Sequence, residues 1–238
     1  VMVSGEPGTT RDYVSVSFDA EGRRFQLVDT GGLVRKNRVG GALDQEIVYG
    51  ALRAINYSDV VGLVLDWNER VTHQDQRIAG LIKDRYRGCV ILVNKADEVD
   101  EDAEERWLDH LRDRLYFLDY APVLFTSGKA ERGLGAIFRT AIDIRDEMYR
   151  TFDREQLVNT VLDLKTALSW PSGDAAQVIL QEIEQVDVNP VTFEVTANEP
   201  ELLTGNDVRY LSRTLRDKLN IEVSPVKLRI TRDEDDEN

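Results

Sequence analysis

The chain has a single cysteine, Cys89, and only two histidines, His73 and His110. One cysteine excludes a disulfide framework, and two histidines so far apart exclude a typical zinc cluster. Cys89 sits in an apolar run and reads as a core residue. No apolar stretch nears the ~20 residues needed to cross a bilayer, and the opening VMVSGEPGTT lacks the basic-then-apolar pattern of a secretory signal. The expected compartment is therefore reducing and cytoplasmic, with an organelle matrix as the alternative and no membrane partner. Positive charge is also short. Thirty Lys and Arg against 44 Asp and Glu leave a net charge of −14, which argues against wrapping long nucleic acid by electrostatics but leaves room for a local basic patch. Finally, no GxxxxGK[ST] occurs anywhere. That loop supplies a backbone cradle, a lysine for the β- and γ-phosphates and a magnesium-binding hydroxyl.

What is present points the other way. Asn94-Lys95-Ala96-Asp97 follows the apolar run 89–93. An Asn side-chain amide can bond a guanine ring. An Asp carboxylate can accept both the ring N–H and the exocyclic amino group, a donor pattern adenine does not offer. The Lys stem can lie along the base. Upstream, Asp29-Thr30-Gly31-Gly32 fits a magnesium-linked carboxylate followed by a backbone N–H that senses a terminal phosphate. An NKxD tetrapeptide alone is common. Its place after a buried strand, paired with DxxG, carries the guanine reading over that of simple strand-to-helix turn chemistry.

The surrounding pattern predicts an α/β fold. Residues 13–20 and 24–29 read as strands around a turn at Glu21-Gly22. Residues 60–66, 89–93 and 122–126 are continuous apolar runs, as expected for strands covered on both faces. Helical stretches fall at 43–57, 74–86, 103–115 and 134–150. This alternation predicts a doubly wound, mostly parallel sheet over residues 1–152. Residues 153–232 read as a smaller α/β module: a helix over 155–168 stopped by Trp170-Pro171-Ser172-Gly173, strands at 176–184 and 190–197, a helix at 205–219 with Asn220 as its C-cap, and a strand at 225–231. The acidic tail 233–238 reads as disordered.

With these segments in hand, the chain resembles the Der (EngA) family of GTPases, specifically its second G domain followed by its C-terminal KH-like domain. The resemblance rests on Pro7-Gly8-Thr9-Thr10-Arg11-Asp12, on Asp29-Thr30-Gly31-Gly32-Leu33, on Asn94-Lys95-Ala96-Asp97 and on Phe117-Leu118-Asp119-Tyr120-Ala121-Pro122. In the second module Asn198-Glu199-Pro200 and Arg209-Tyr210-Leu211 carry it. The resemblance implies that Thr10, with Thr9 as the alternative, ligates magnesium from a switch, that Asp29 holds magnesium through water, and that Gly32 contacts the terminal phosphate. It implies that Asn94, Lys95 and Asp97 read guanine, and that Thr126-Ser127 bring a backbone N–H at Ser127 toward the guanine oxygen. Leu33 stands where some GTPases carry a catalytic glutamine. Relatives with an apolar residue there use potassium, so K+ joins Mg2+ and GTP/GDP among the expected cofactors.

The resemblance further implies assistance to assembly of the large ribosomal subunit, with that subunit and its rRNA as partners. An upstream G domain in the same longer chain is also implied. Arg209, Arg213 and Arg216, at i, i+4 and i+7 of one helix, are candidate RNA contacts. Against that, residues 151–238 carry nine basic and eighteen acidic residues and no GxxG loop, so packing against a G domain is the stronger reading of the second module. A G domain without its phosphate loop and first strand is expected to be a segment of a longer protein and, alone, to hydrolyse GTP poorly or not at all. The rival reading is a degenerate, non-hydrolysing G-domain scaffold that binds the ribosome or a protein.

Overall fold

The computed structural model describes residues 14–29, 43–97, 101–167 and 178–232. Thr9, Thr10, Gly32, Leu33, the helix stop at Trp170–Gly173 and the acidic tail lie outside them, as do the expectations attached to those residues.

The chain divides into two compact units, residues 1–58 and 59–238. In the first, β1 (Val14–Ala20) and β2 (Arg23–Asp29) pair antiparallel. Glu21 (φ 49°) and Gly22 (φ 72°) both lie in the left-handed region, the geometry of a two-residue hairpin turn whose twist matches its strands. Phe18 and Phe25 face each other in register and stack at 5.7 Å. Helix α1 (Leu43–Tyr57) follows. Its end is marked by Ser58, whose hydroxyl donates to the Ala54 carbonyl at 2.8 Å.

The second unit begins with a parallel sheet in the order β3 (Val60–Asp66), β4 (Gly88–Asn94), β5 (Val123–Phe125). Five of the seven β4 residues are buried, the first four of them consecutively, as a strand covered on both faces requires. Helix α2 (His73–Asp84) links β3 to β4 and starts in a capping box. The Thr72 hydroxyl accepts from the Asp75 N–H, while Asp75 accepts from the Thr72 N–H. Helix α3 (Glu101–Arg114) links β4 to β5, and α4 (Leu134–Met148) follows β5.

Cys89 lies on β4, fully buried, and burial pushes its thiol from an ordinary 9.0 up to about 12. The folded state thus holds that proton more tightly than the unfolded chain. Its contribution to stability is intact below about pH 9 and falls as pH rises from there toward 12. An Ellman titration at pH 8 is expected to find no reactive thiol in the folded protein and one after denaturation.

The C-terminal part of this unit contains α5 (Arg154–Ala167), β6 (Leu180–Asp187), β7 (Val191–Ala197), α6 (Gly205–Leu219) and β8 (Val226–Arg232). The sheet order is β6-β7-β8, antiparallel then parallel. Phe193, Leu164, Leu211 and Leu215 are fully buried at its centre. Helix α6 opens with a Thr204/Asp207 capping box and ends at Asn220 in the left-handed region (φ 50°, ψ 50°), the C-cap its sequence predicts.

The parallel sheet and this module meet at a polar junction. The Glu147 carboxylate at the end of α4 accepts from the N–H groups of Glu222 (2.8 Å) and Val223 (2.7 Å). The Arg150 guanidinium donates to the Leu219 carbonyl at 3.1 Å, capping α6. Gln185 donates to the Arg150 carbonyl (2.8 Å) and accepts from the Phe152 N–H (2.9 Å). Val223 packs against the cluster of Val90, Ile144 and Met148 beside the parallel sheet.

Candidate functional site

The C-terminal ends of β4 and β5 lie side by side, since Val93 is in register with Phe125. Ligands of parallel α/β sheets bind at this edge. Asn94 is the last residue of β4 and half-buried. The chain then turns sharply through Lys95, in the left-handed region at φ 65°, before buried Ala96 and exposed Asp97. The segment after β5 fastens this turn. The Thr126 N–H donates to the Val93 carbonyl (2.8 Å), and the Ala96 N–H donates to the Thr126 carbonyl (3.0 Å).

Ser127, fully buried, is the keystone of the loop. Its hydroxyl donates to Asp97 Oδ1 and accepts from the Ala130 N–H at 3.0 Å. Asn94 Oδ1 accepts from the Gly128 N–H at 3.2 Å. One carboxylate oxygen of Asp97 and the side-chain amide oxygen of Asn94 are therefore held in place by the loop that follows β5. The Ser127 backbone N–H, to which the resemblance assigns a role, is bonded within the loop. It donates to the Arg132 carbonyl, and the Arg132 N–H returns the bond, both at 3.0 Å. This bridge closes the 127–132 loop and turns the Ser127 N–H away from open space.

Lys95 ion-pairs with Asp66 at the end of β3. The Lys95 hydrogen bond is the main cause that holds the Asp66 carboxyl below its ordinary range, and the same bond raises Lys95. The Trp67 N–H donates to the Asn94 carbonyl at 2.8 Å. The Trp67 ring stacks on Trp107 (6.1 Å) and meets the edge of Phe125 (5.8 Å), bracing the turn from α3 and β5. Asp66, Trp67 and Arg132 support the candidate site, and the motif alone does not reveal them. An acid closing a continuous apolar strand run was the one sequence signal available for Asp66.

Asp29 ends β2, in register with Val14. Among the described residues, no cluster of three or more His, Cys, Asp or Glu is placed to hold a metal, and no helix is long and apolar enough to cross a membrane.

The three arginines of α6 separate in the structure. Arg216 does not face outward for RNA, which corrects that expectation. Its guanidinium donates to Asp119 Oδ1 (2.9 Å) and to the Glu222 carbonyl (3.1 Å), and lies 5.5 Å from the Tyr120 ring, with its side chain only 11% exposed. The helix end abuts the turn that carries Asp119 and Tyr120, so the nearest acid captures the cation. Arg209 and Arg213 remain exposed. The Phe117–Pro122 segment is thus a junction element that meets the C-terminal module.

Two family models match the chain. The family described as "50S ribosome-binding GTPase" matches residues 1–95, and the "KH-domain-like of EngA bacterial GTPase enzymes, C-terminal" matches residues 152–231. GTPase Der of Sulfurihydrogenibium sp. (strain YO3AOP1) is 34% identical over 228 residues, covering 96% of this chain and 51% of that protein. GTPase Der of Synechococcus sp. (strain CC9311) is 38% identical over 233 residues, covering 95% and 50%. The chain spans about half the length of the curated relatives it matches. A crystal structure of Era in complex with MgGDPNP and nucleotides 1506-1542 of 16S ribosomal RNA aligns at a TM-score of 0.48 with 17% identity, over 97% of this chain and 83% of that one.

Proposed function

Because the chain belongs to the Der (EngA) family of GTPases, pairing a G-domain region with that family's KH-like domain, we propose that it serves as a cytoplasmic guanine-nucleotide switch in assembly of the large ribosomal subunit. Residues 1–152 act as the G domain and 153–232 as the KH-like domain, working with an upstream G domain of a longer chain. The observation that carries this reading is the braced turn at the end of β4, where Asn94 and Asp97 are held by Gly128 and Ser127. Asn94 and Asp97 read the guanine edge, Lys95 lies along the ring, and Thr126 and Ser127 support them. Thr10, with Thr9 beside it, and Asp29 hold Mg2+, Gly32 meets the terminal phosphate, and K+ is the candidate second cation. The bound metal would neutralise charge as water attacks the γ-phosphate.

A second reading is a degenerate, non-hydrolysing scaffold that binds the ribosome or a protein partner. Without a GxxxxGK[ST], these 238 residues are expected to hold GTP weakly and not to turn it over. Saturation-transfer NMR on the purified chain, with magnesium and potassium present, separates the two. The switch reading expects GDP to bind with a Kd of order millimolar, and at least about tenfold better than ADP, because a site built for a ring N–H rejects a base that lacks it. Asp97→Ala should erase the preference while the chain still melts cooperatively, at a somewhat lower temperature because the buried Ser127 hydroxyl loses its acceptor. Binding of neither nucleotide by a cooperatively melting chain would favour the scaffold. Potassium-dependent GTP turnover by the chain would overturn the inactivity.

A further inference from the structure

Tyr116 opens the short 3-10 turn that follows α3, and the residue is 57% exposed. Helix α6 runs over the same turn. Arg209 meets Tyr116, its guanidinium carbon 5.4 Å from the ring centroid, and Arg216 meets Tyr120 two helical turns later. The two contacts do different work. The one at Arg216 is almost enclosed and tied to Asp119, whereas the one at Arg209 stays open to solvent. One turn along α6, Arg213 is exposed and has no ion-pair partner among the described residues. Asp217 ends this basic face a turn further on.

We propose that Tyr116, Arg209 and Arg213 form a short binding surface for single-stranded RNA that exists only while the two modules are docked. The proposal deepens the ribosomal reading above and rests on it. A phenol ring with a guanidinium laid over it is a planar platform of the kind on which an unstacked base settles. Arg213, one turn or ~6 Å away along the helix, is placed for a neighbouring phosphate. A duplex hides its base faces, so a platform of this kind selects a single strand. The overall charge of −14 repels long polyanions, which limits the contact to a few nucleotides next to this local patch. Neither sequence segment supplies the surface alone: Tyr116 precedes β5, while both arginines belong to the C-terminal module.

The test is fluorescence anisotropy of a labelled ten-nucleotide RNA of mixed sequence titrated with the full 238-residue chain at low salt. The comparison proteins are Tyr116→Leu, Tyr116→Phe and the Arg209→Ala/Arg213→Ala double variant, each with its thermal melt recorded. Removing the ring is expected to weaken binding at least about fivefold, and Tyr116→Phe, which keeps the π-face, to restore it. The double variant should lose affinity and flatten the dependence of log K on log salt by up to about 1.4. RNA binding that all variants retain unchanged would overturn this surface while leaving the RNA reading intact. No RNA binding by the unmodified chain would overturn both.

Discussion

Replacing Glu147 with alanine is expected to lower the stability of the 59–238 unit by roughly 2–4 kcal/mol. Its carboxylate accepts two backbone N–H groups, from Glu222 and Val223 at 2.8 and 2.7 Å, while its side chain is only 11% exposed. Bonds to an ionised acceptor are stronger than neutral ones. Truncation therefore removes two of them; the exposed Glu222 N–H can turn to water, but the part-buried Val223 N–H is stranded beside the apolar cluster in which Val223 packs against Ile144 and Met148. Glu147→Gln keeps one acceptor oxygen and should cost about half as much. Urea denaturation of the three proteins measures the series. Hydrogen exchange at the Glu222 and Val223 amides should accelerate in the same order. Equal midpoints for the alanine variant and the parent would mean that water replaces the carboxylate, and the junction would then owe its strength to Val223 and the arginines instead.

The same junction marks where reading the sequence stopped. Helices α1 and α6 were legible to the residue. For α6 the punctuation is chemical: a Thr204/Asp207 box at one end and Asn220 at the other. The strands of the parallel sheet were legible to within a residue or two, because continuous apolar runs have few alternative registers. The strand read at 176–184 lies instead at Leu180–Asp187. Its pairing with β7 shifts register twice, between Leu180 and Glu182 and between Gln185 and Asp187, so the two-residue alternation that locates a strand is broken.

Within the candidate site, Asn94, Lys95 and Asp97 announce themselves because they fall within one four-residue motif. Their supports do not, because they come from afar: Asp66 is 29 residues from Lys95, and Arg132 is 36 from Ala96. Arg216 is the plainest case. Helical period places it on the face of Arg209 and Arg213, but only the fold reveals Asp119, 97 residues away, as its partner.

Gly133→Ala is expected to destabilise the same unit by about 2–3 kcal/mol, the cost of a left-handed alanine plus a backbone collision. Gly133 sits at φ 76° just before α4, and a Cβ there would come within 2.7 Å of the Phe125 carbonyl oxygen. That oxygen belongs to β5 and cannot swing aside as a flexible side chain would. Relief has to come from the adjoining loop, whose Ser127–Arg132 bridge holds the Ser127 hydroxyl on Asp97. The substitution should therefore act twice. It should lower Tm by roughly 5–10 °C, and it should blunt discrimination between GDP and ADP even well below the melt. Gly135→Ala supplies the contrast. A Cβ at that position meets nothing within 4 Å, and alanine suits a helix better than glycine, so Tm should hold or rise slightly. A parent-like melt for Gly133→Ala would show that the loop yields freely. The preorganisation of Asp97 by Ser127 would then be too soft to matter for base recognition.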